Sequence, residues 1–242
     1  MQAYYSDNAV TLYQGDAWQV LRTLPGESVD AVITDPPYST GAVTLAGKQA
    51  PPKVKYQNTG TVKQYPDMLG DGKDQRSFLT WAVMWLSEAW RVARTGAPVL
   101  IFTDWRQLPT VTDALQAAGF HWRGIVTWNK LCGRPILGEF RRDTEFIVYG
   151  SKGKYQTHTR QCLPCIYNHA VNPARKRHIS GKPLPLLVEL MEIVQPGGTV
   201  LDPFLGSGTT AKAARETGRK CIGVERSPEY VRIATEYLQE TG

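Results

Sequence analysis

An apolar run that stops at two consecutive prolines is the feature of this sequence that most restricts its fold. Residues 29–34 are followed directly by Asp35, Pro36, Pro37 and Tyr38. Each proline fixes φ and lacks a backbone N–H, so neither a strand nor a helix continues through the pair. A run this apolar predicts a strand buried on both faces, as in parallel sheets. The strand therefore ends in a rigid loop with a carboxylate on one side of the prolines and an aromatic ring on the other.

The residues before this strand complete a β-α-β unit. Residues 9–14 predict a short strand, and Asp16 is placed to cap a helix over residues 17–24, which a Pro-Gly pair ends. Ligands of open parallel sheets bind at the carboxyl ends of the strands. Asp16 and Asp35 are therefore expected on the same ligand-binding edge.

Later segments continue the alternation of helix and strand. The pattern predicts helices over residues 77–94, 108–118, 182–194, 209–217 and 229–238, and strands over residues 98–103, 123–128, 144–149, 199–201 and 220–224. No helix separates the strands at 123–128 and 144–149, so we expect them to pair antiparallel. Trp81 and Trp85 have helical spacing and are interpreted as core residues.

A glycine-rich turn late in the chain indicates a nucleoside-bearing cofactor. The strand over residues 199–201 leads through Asp202 to Gly206 and Gly208, where the next helix begins. Such glycines allow a tight turn, and the helix start presents free N–H groups to a ligand. Glu225 ends the following strand about 20 residues later, the spacing at which an acid holds ribose hydroxyls.

Two cofactor classes fit this turn. Residues 206–211 satisfy the dinucleotide pattern G-x-G-x-x-A, so a nicotinamide oxidoreductase stays open as an alternative. Asp202 argues against it, because a carboxylate repels a pyrophosphate and attracts an ammonium group. S-adenosylmethionine has an amino-acid end and no phosphate, and it is therefore the favoured cofactor.

Together, these stretches resemble the N6-adenine and N4-cytosine DNA amino-methyltransferases. Residues 35–38 match the catalytic tetrapeptide of that family, and residues 202–210 match its cofactor loop. The order, with the catalytic loop first, is similar to the permuted beta class, and the compact chain is similar to phage or prophage members. The resemblance implies a Rossmann-like α/β methyltransferase fold in circularly permuted order. Its sheet would have seven strands, mostly parallel with one antiparallel strand.

The resemblance also implies roles for residues of the proline loop. Asp35 and the Pro36 carbonyl would accept hydrogen bonds from the target amine, and Tyr38 would stack on the flipped base. Pro37 completes the implied catalytic set.

A second implied set binds the cofactor. It comprises Asp16, Ala17, Asp35, Ser180, Lys182, Asp202, Phe204, Gly206, Ser207, Gly208, Thr209, Thr210, Glu225 and Arg226. Within the set, Glu225 would hold the ribose and Asp16 the adenine side. Ser180 and Lys182 would lie near the cofactor's carboxylate.

The function implied is methyl transfer from S-adenosylmethionine to the N6 amine of adenine in DNA, after base flipping. Cytosine-N4 members commonly carry serine at the position of Asp35, so this residue favours adenine, with N4-cytosine as the alternative. RNA and protein methyltransferases, whose related tetrapeptides begin with asparagine, are a further alternative. A DNA-binding module without catalysis also stays open.

Basic residues concentrate in one fifth of the chain. Residues 130–180 hold ten Lys/Arg and three Asp/Glu, a net +7, while the whole chain carries +6. A concentrated basic surface suits a phosphate backbone, which favours double-stranded DNA as the partner over a merely solvated surface.

We expect one methyltransferase domain over residues 1–242. A loop insert at 39–76 would act as a lid or substrate clasp, and a short target-recognition segment would lie at about 150–178, helped by residues 129–142. In that segment, His158, Cys162, Cys165 and His169 have a spacing that zinc sites also use. Buried thiols are the favoured interpretation, and no metal is expected.

The remaining features concern location and assembly. Four unevenly spaced cysteines favour a reducing cytoplasm, bacterial or phage-infected, and we recognise no secretory leader. No apolar run reaches the roughly 18 residues of a membrane span. The resemblance suggests a homodimer. We recognise no endonuclease motif, so a restriction enzyme partner would be a separate chain.

Overall fold

The computed structural model describes residues 1–39, 73–132, 137–171 and 181–240. The strands in these ranges are β1 (Tyr5–Ser6), β2 (Val10–Gln14), β3 (Ala31–Thr34), β4 (Pro98–Thr103), β5 (His121–Asn129), β6 (Thr144–Ser151), β7 (Ile166–Asn168), β8 (Thr199–Asp202) and β9 (Lys220–Glu225). The helices are α1 (Ala17–Leu21), α2 (Gln75–Val92), α3 (Leu108–Ala117), α4 (Leu184–Leu190), α5 (Thr209–Glu216) and α6 (Pro228–Gln239). A short 3-10 turn, Met191–Ile193, follows α4.

The described strands form one sheet in the order β1-β2-β9-β8-β3-β4-β6-β5-β7. From β2 to β4 all neighbours are parallel, whereas β6 runs antiparallel to both β4 and β5. The seven strands from β2 to β5 thus have one antiparallel strand, as predicted, and the antiparallel pairing of β5 with β6 is confirmed. Within the described ranges, the sheet has nine strands rather than the predicted seven. The extra strands, β1 and β7, have two and three residues, too few for a recognisable period.

The core lies on both faces of this sheet. All six residues of β4 are buried, and they alternate between faces: Leu100 and Phe102 pack on one side, Val99 and Ile101 on the other. Apolar residues of α4, α5 and α6 cover the first face, and those of α1, α2 and α3 cover the second. This double covering explains why the central strands β3 and β4 are apolar at every position except the last, which is a threonine in each.

The centre of the sheet is a topological switch point. From β3 the chain passes through α2 to β4 on one side, and from β8 it passes through α5 to β9 on the other. The loops that leave β3 and β8 therefore diverge and open a crevice at the carboxyl edge.

Side-chain caps fix where two helices begin at this edge. The Asp16 carboxylate accepts a 3.3 Å hydrogen bond from the Gln19 N–H, which confirms its predicted role as cap of α1. Ser227 caps α6 in the same way through the Tyr230 N–H. Among the described helices, none is long and apolar enough to cross a bilayer.

Candidate active site

The proline loop, residues 35–38, and the glycine turn, residues 202–210, lie side by side at the carboxyl edge. Their strands β3 and β8 are parallel neighbours. The Thr34 hydroxyl donates a 2.7 Å hydrogen bond to Asp202 Oδ1, although the two residues are 168 positions apart. Both stretches open into one cavity of about 500 Å³.

Most residues predicted for the site line this cavity. They are Asp16, Ala17, Asp35, Pro36, Pro37, Tyr38, Lys182, Asp202, Phe204, Gly206, Ser207, Thr209, Thr210, Glu225 and Arg226. Gly208 lies behind the wall, where an added Cβ would stand 3.2 Å from the Cβ of Ala234. Ser180 lies outside the described residues. The fold thus gathers residues from both ends of the chain around one space.

The glycine turn owes its shape to two left-handed residues. The angle φ is 56° at Gly206 and 90° at Gly208, values that strain residues with a Cβ. The N–H groups of Gly206 and Ser227 donate to the two carboxylate oxygens of Glu225, at 2.9 and 2.7 Å. Burial raises the pKa of Glu225. Glu225 therefore ties the turn to the end of β9, and the cavity wall is preformed.

Asp202 is the buried carboxylate of this wall. It accepts hydrogen bonds from the Thr34 hydroxyl and, at 3.0 Å, from the Phe204 N–H. Burial outweighs these bonds and raises the pKa of Asp202 to about 6. A cation in the cavity would favour the charged carboxylate, and an anion would oppose it. The wall beside Asp202 therefore suits an ammonium group better than a phosphate.

We expect Asp202→Asn to raise the free energy of unfolding at about pH 7.5 by up to ~3 kcal/mol. The pKa of Asp202 is about 6 in the folded protein, compared with the ordinary value of 3.8. Folding therefore favours the protonated carboxyl. This contribution to stability is complete below pH 3.8 and is lost as the pH rises through about 6. Asparagine keeps the size and one acceptor oxygen without the charge. Urea unfolding of both proteins at about pH 4 and 7.5 measures the effect. An equal difference at both pH values would contradict it.

An aromatic cluster forms another part of the wall. The Phe204 ring centroid lies 5.4 Å from that of Trp81 and 5.1 Å from that of Trp85. The Lys73 ammonium sits 4.5 Å from the Trp81 centroid. Trp85 is buried, as predicted, but Trp81 lines the cavity and is not a purely core residue. Helical spacing showed that Trp81 and Trp85 lie on the same side of α2. It could not show that the cavity extends to Trp81.

A buried lysine is bonded to the proline loop. The Lys182 ammonium lies 2.6 Å from Asp35 Oδ2, 3.2 Å from Glu145 Oε2 and 3.2 Å from the Tyr38 hydroxyl oxygen. The Tyr38 hydroxyl donates to Asp35 Oδ1 at 2.6 Å. Each oxygen of Asp35 thus accepts a hydrogen bond from within the protein. An incoming amine must replace one of these donors or share its acceptor.

Glu145 completes this acid–lysine cluster and was not among the predicted site residues. It is the second residue of β6, and its Oε1 lies 3.4 Å from the Lys130 ammonium. Because β6 runs antiparallel to β4, its first residues lie where the parallel strands end. The sequence did contain one signal for Glu145, since it stands near the start of the strand that was predicted to be antiparallel.

Burial and the neighbouring charges shift the pKa values of the cluster residues in different directions. Burial and the charge of Glu145 raise the pKa of Asp35, against the opposing charge of Lys182. Burial also works against ionisation of Glu145, but the ammonium groups of Lys182 and Lys130 outweigh it and lower that pKa. The two carboxylates raise the pKa of Lys182 despite its burial. Burial and Asp35 hold the pKa of Tyr38 well above its usual range, so its hydroxyl stays a neutral donor.

The cysteines of the predicted recognition segment are exposed. Cys162 and Cys165 both lie at the surface, so the interpretation as buried thiols is wrong. They precede β7, an edge strand in which only Tyr167 is buried. His169 pairs instead with Glu189, at 3.2 Å. Among the described residues, no group of three or more side chains is arranged to hold a metal.

Sequence comparisons match nearly the whole chain. A sequence model of an N6/N4 methyltransferase family, described as DNA methylase, matches residues 29–236. Type II methyltransferase M.HinfI of Haemophilus influenzae is 26% identical over 99% of this chain and 71% of its own length. Type II methyltransferase M2.DpnII of Streptococcus pneumoniae is 26% identical over 98% of this chain and 92% of its own.

Solved structures share the fold. The PvuII DNA methyltransferase, described as cytosine-N4-specific, has a TM-score of 0.76 at 16% identity and covers 100% of this chain and 90% of its own. The M1.HpyAVI–SAM complex has a TM-score of 0.68 at 22% identity and covers 96% of this chain and 100% of its own. At these identities the likeness supports the Rossmann-like architecture described above.

Proposed function

Because this chain belongs to the N6/N4 DNA methylase family, we propose that it transfers a methyl group from S-adenosylmethionine to the N6 amine of adenine in double-stranded DNA. One observation carries the proposal. Asp35 and Tyr38, suited to an amine on an aromatic ring, face the same cavity as the cation-compatible carboxylate of Asp202. A site for a flat amine and a site for an amino-acid ammonium therefore adjoin.

The cavity wall fits the proposed methyl donor. Asp202 would attract its ammonium group, Phe204 and the glycine turn would line its methionine part, and Glu225 and Asp16 would hold its ribose and adenine side. When bound, S-adenosylmethionine supplies a methyl group on a sulfonium. Ser180 and Lys182 stay candidates for its carboxylate, although the Lys182 ammonium lies against Asp35 and Glu145.

The chain's own residues make the amine reactive. An exocyclic amine is a poor nucleophile because its lone pair is delocalised into the ring. Acceptors at Asp35 and the Pro36 carbonyl would hold its hydrogens and favour a tetrahedral nitrogen, without a strong base. The proton that the nitrogen loses on methylation would pass to the Asp35 carboxylate. Glu145 lies 3.3 Å from the Tyr38 hydroxyl and offers it a second acceptor when the amine takes Asp35. The target base must leave the duplex to reach this site, and the Tyr38 ring offsets part of that cost.

We expect Tyr38→Ala to slow single-turnover methylation by ~10- to 100-fold, the loss of one stacked base contact. Tyr38→Phe keeps the ring and removes only the hydroxyl that occupies Asp35 Oδ1, so it should stay within about fivefold of wild type. Calorimetry should find S-adenosylmethionine affinity little changed in both. Equal slowing by the two substitutions, or a parallel loss of donor affinity, would contradict base stacking.

The decisive test is to express the protein in a methylation-free bacterial host and to analyse the DNA. Mass spectrometry of nucleosides distinguishes N6-methyladenine from N4-methylcytosine, and modification-sensitive sequencing gives the recognition site. The adenine proposal rests on Asp35 in place of serine. N4-methylcytosine would favour the alternative base. Modified RNA or protein with unmodified DNA would overturn the proposal.

We propose that the insert at 39–76 and the segment at about 150–178 contact the DNA around the target. Residues 40–72 and 172–178 of these lie outside the described residues. A homodimer, a separate restriction endonuclease, a phage-like origin, a cytoplasmic location and a single domain over residues 1–242 stay predictions.

A further inference from the structure

The connection between β5 and β6, residues 130–143, carries two almost wholly exposed apolar side chains. Leu137 is 101% exposed and Phe140 is 97% exposed. Among the described residues, the next most exposed large apolar side chain is Met1, at 64%. Scattered exposed apolar residues are ordinary, but this pair lies in one loop, and residues near both ends of that loop line the cavity.

The described ends of this loop are fixed to the site. The Lys130 N–H donates a 2.7 Å hydrogen bond to the Asp143 carbonyl, which closes the base of the loop. The Lys130 ammonium pairs with Glu145 of the acid–lysine cluster. Lys130 and Arg142 line the cavity itself. Phe140 precedes Arg142 by two residues, so it lies close in the chain to the part of the loop that lines the cavity.

Two arginines follow the exposed pair in the chain, and each is paired with a neighbouring acid. Arg141 lies 3.5 Å from Asp143, and Arg142 lies 3.3 Å from Glu139; both arginines are more than half exposed. Exposed ion pairs of this kind contribute only ~0–1 kcal/mol, so exchange of their carboxylates for phosphate oxygens costs little. Apolar side chains beside two arginines with exchangeable partners match the base stack and the phosphate backbone of a duplex.

Building on the proposed function, we propose that Phe140, supported by Leu137, enters the base stack of double-stranded DNA and fills the space that the flipped base leaves. A base that reaches Asp35 enters the cavity that Lys130 and Arg142 of this same loop help to line. Extrusion of a base leaves a gap in the stack, and proteins that unstack DNA commonly insert phenylalanine or leucine. The flanking Arg141 and Arg142 would hold phosphates near the gap.

The test uses duplex oligonucleotides built around the site that wild-type enzyme modifies. In one duplex the target base is paired, and in the other it faces an abasic site, which lowers the cost of flipping. We expect Phe140→Ala to lower kcat/KM on the paired duplex by at least ~10-fold, and on the abasic duplex by no more than about threefold. Fluorescence of 2-aminopurine at the target position should show fewer flipped bases with Phe140→Ala.

Matched variants separate this role from a general loss of aromatic surface. Tyr4, exposed near the β1 edge at the other end of the sheet, should tolerate Tyr4→Ala with unchanged kinetics. Phe140→Leu should retain more activity than Phe140→Ala, and the two variants should have the same melting temperature. Equal losses on both duplexes, or no loss on the paired one, would overturn the inference. If wild-type enzyme modifies no site in DNA, the proposed function fails first, and this inference fails with it.

Discussion

Replacing Asp35 with alanine is expected to lower the rate of methyl transfer by about a thousandfold or more, while S-adenosylmethionine still binds. The Asp35 carboxylate accepts hydrogen bonds from the Lys182 ammonium and from the Tyr38 hydroxyl. The substitution removes the carboxylate that would accept a hydrogen bond from the amine while positive charge develops on its nitrogen. Lys182 keeps Glu145 as an ion-pair partner, so the fold should tolerate the change. Single-turnover kinetics and calorimetric titration of the donor measure the two effects separately.

Asp30 supplies the matched control, because it is the aspartate at the other end of the same strand. It pairs with Arg94 and accepts the Thr199 N–H at 2.7 Å, far from the carboxyl edge. Asp30→Ala should lower stability by ~1–2 kcal/mol and leave the rate per folded enzyme nearly unchanged. If Asp35→Ala still methylates DNA at a tenth of the wild-type rate, the proposed role of Asp35 is wrong.

Replacing Lys182 with methionine is expected to lower the free energy of unfolding by ~3–5 kcal/mol at about pH 8. The lysine side chain is only 6% exposed and sits between two carboxylates, Asp35 and Glu145. Without it, one of these acids must take up a proton or stay charged beside the other. The folded-state pKa of the pair then lies above its unfolded value, so the destabilisation should be smaller at about pH 5 and grow as the pH rises.

Activity should report the same change. Ionised Asp35 is the stronger acceptor for the amine hydrogens, so the acidic limb of kcat/KM should move to higher pH in Lys182→Met. Adding Glu145→Gln removes one of the two facing charges and should restore most of the lost stability, a non-additive result. Lys152 is the control, a buried lysine on the opposite edge that pairs with Glu27. Lys152→Met should lower stability without moving the pH profile; an unmoved profile in Lys182→Met would refute the coupling.

Local patterns were sufficient for most of the sheet. Strand β4 is apolar from Pro98 to Phe102 and was predicted with its observed bounds, because burial on both faces leaves a continuous apolar run. The antiparallel β5–β6 pair followed from the missing helix between them. The three residues of β7 carry no such signal, and the exposure of Cys165 beside it follows from its place before an edge strand. Sequence therefore identified elements that bury many residues and missed those that bury few.

The sequence likewise identified some residues of the site and missed others. Asp35 and Asp202 were predictable because each follows a buried strand directly and precedes a turn of unusual composition. Glu145 has neither of these sequence features, because it stands inside a strand. Only its distance to Lys182 shows that it belongs to the acid–lysine cluster. Trp81 likewise shares its helical face with the buried Trp85, and only the shape of the cavity separates the two.

The sequence alone determined which chemistry this protein carries, since a carboxylate before two prolines and an acid before a glycine turn are properties of local residue order. Tertiary structure decided how those groups are charged and what already occupies them. Parallel pairing of β3 with β8 joins loops 168 residues apart, and the antiparallel β6 brings Glu145 to the same edge. The pKa of Asp35, and its hydrogen bond with Lys182, depend on distances between segments remote in sequence. Electrostatic interactions depend on those distances and on burial, which residue order does not specify.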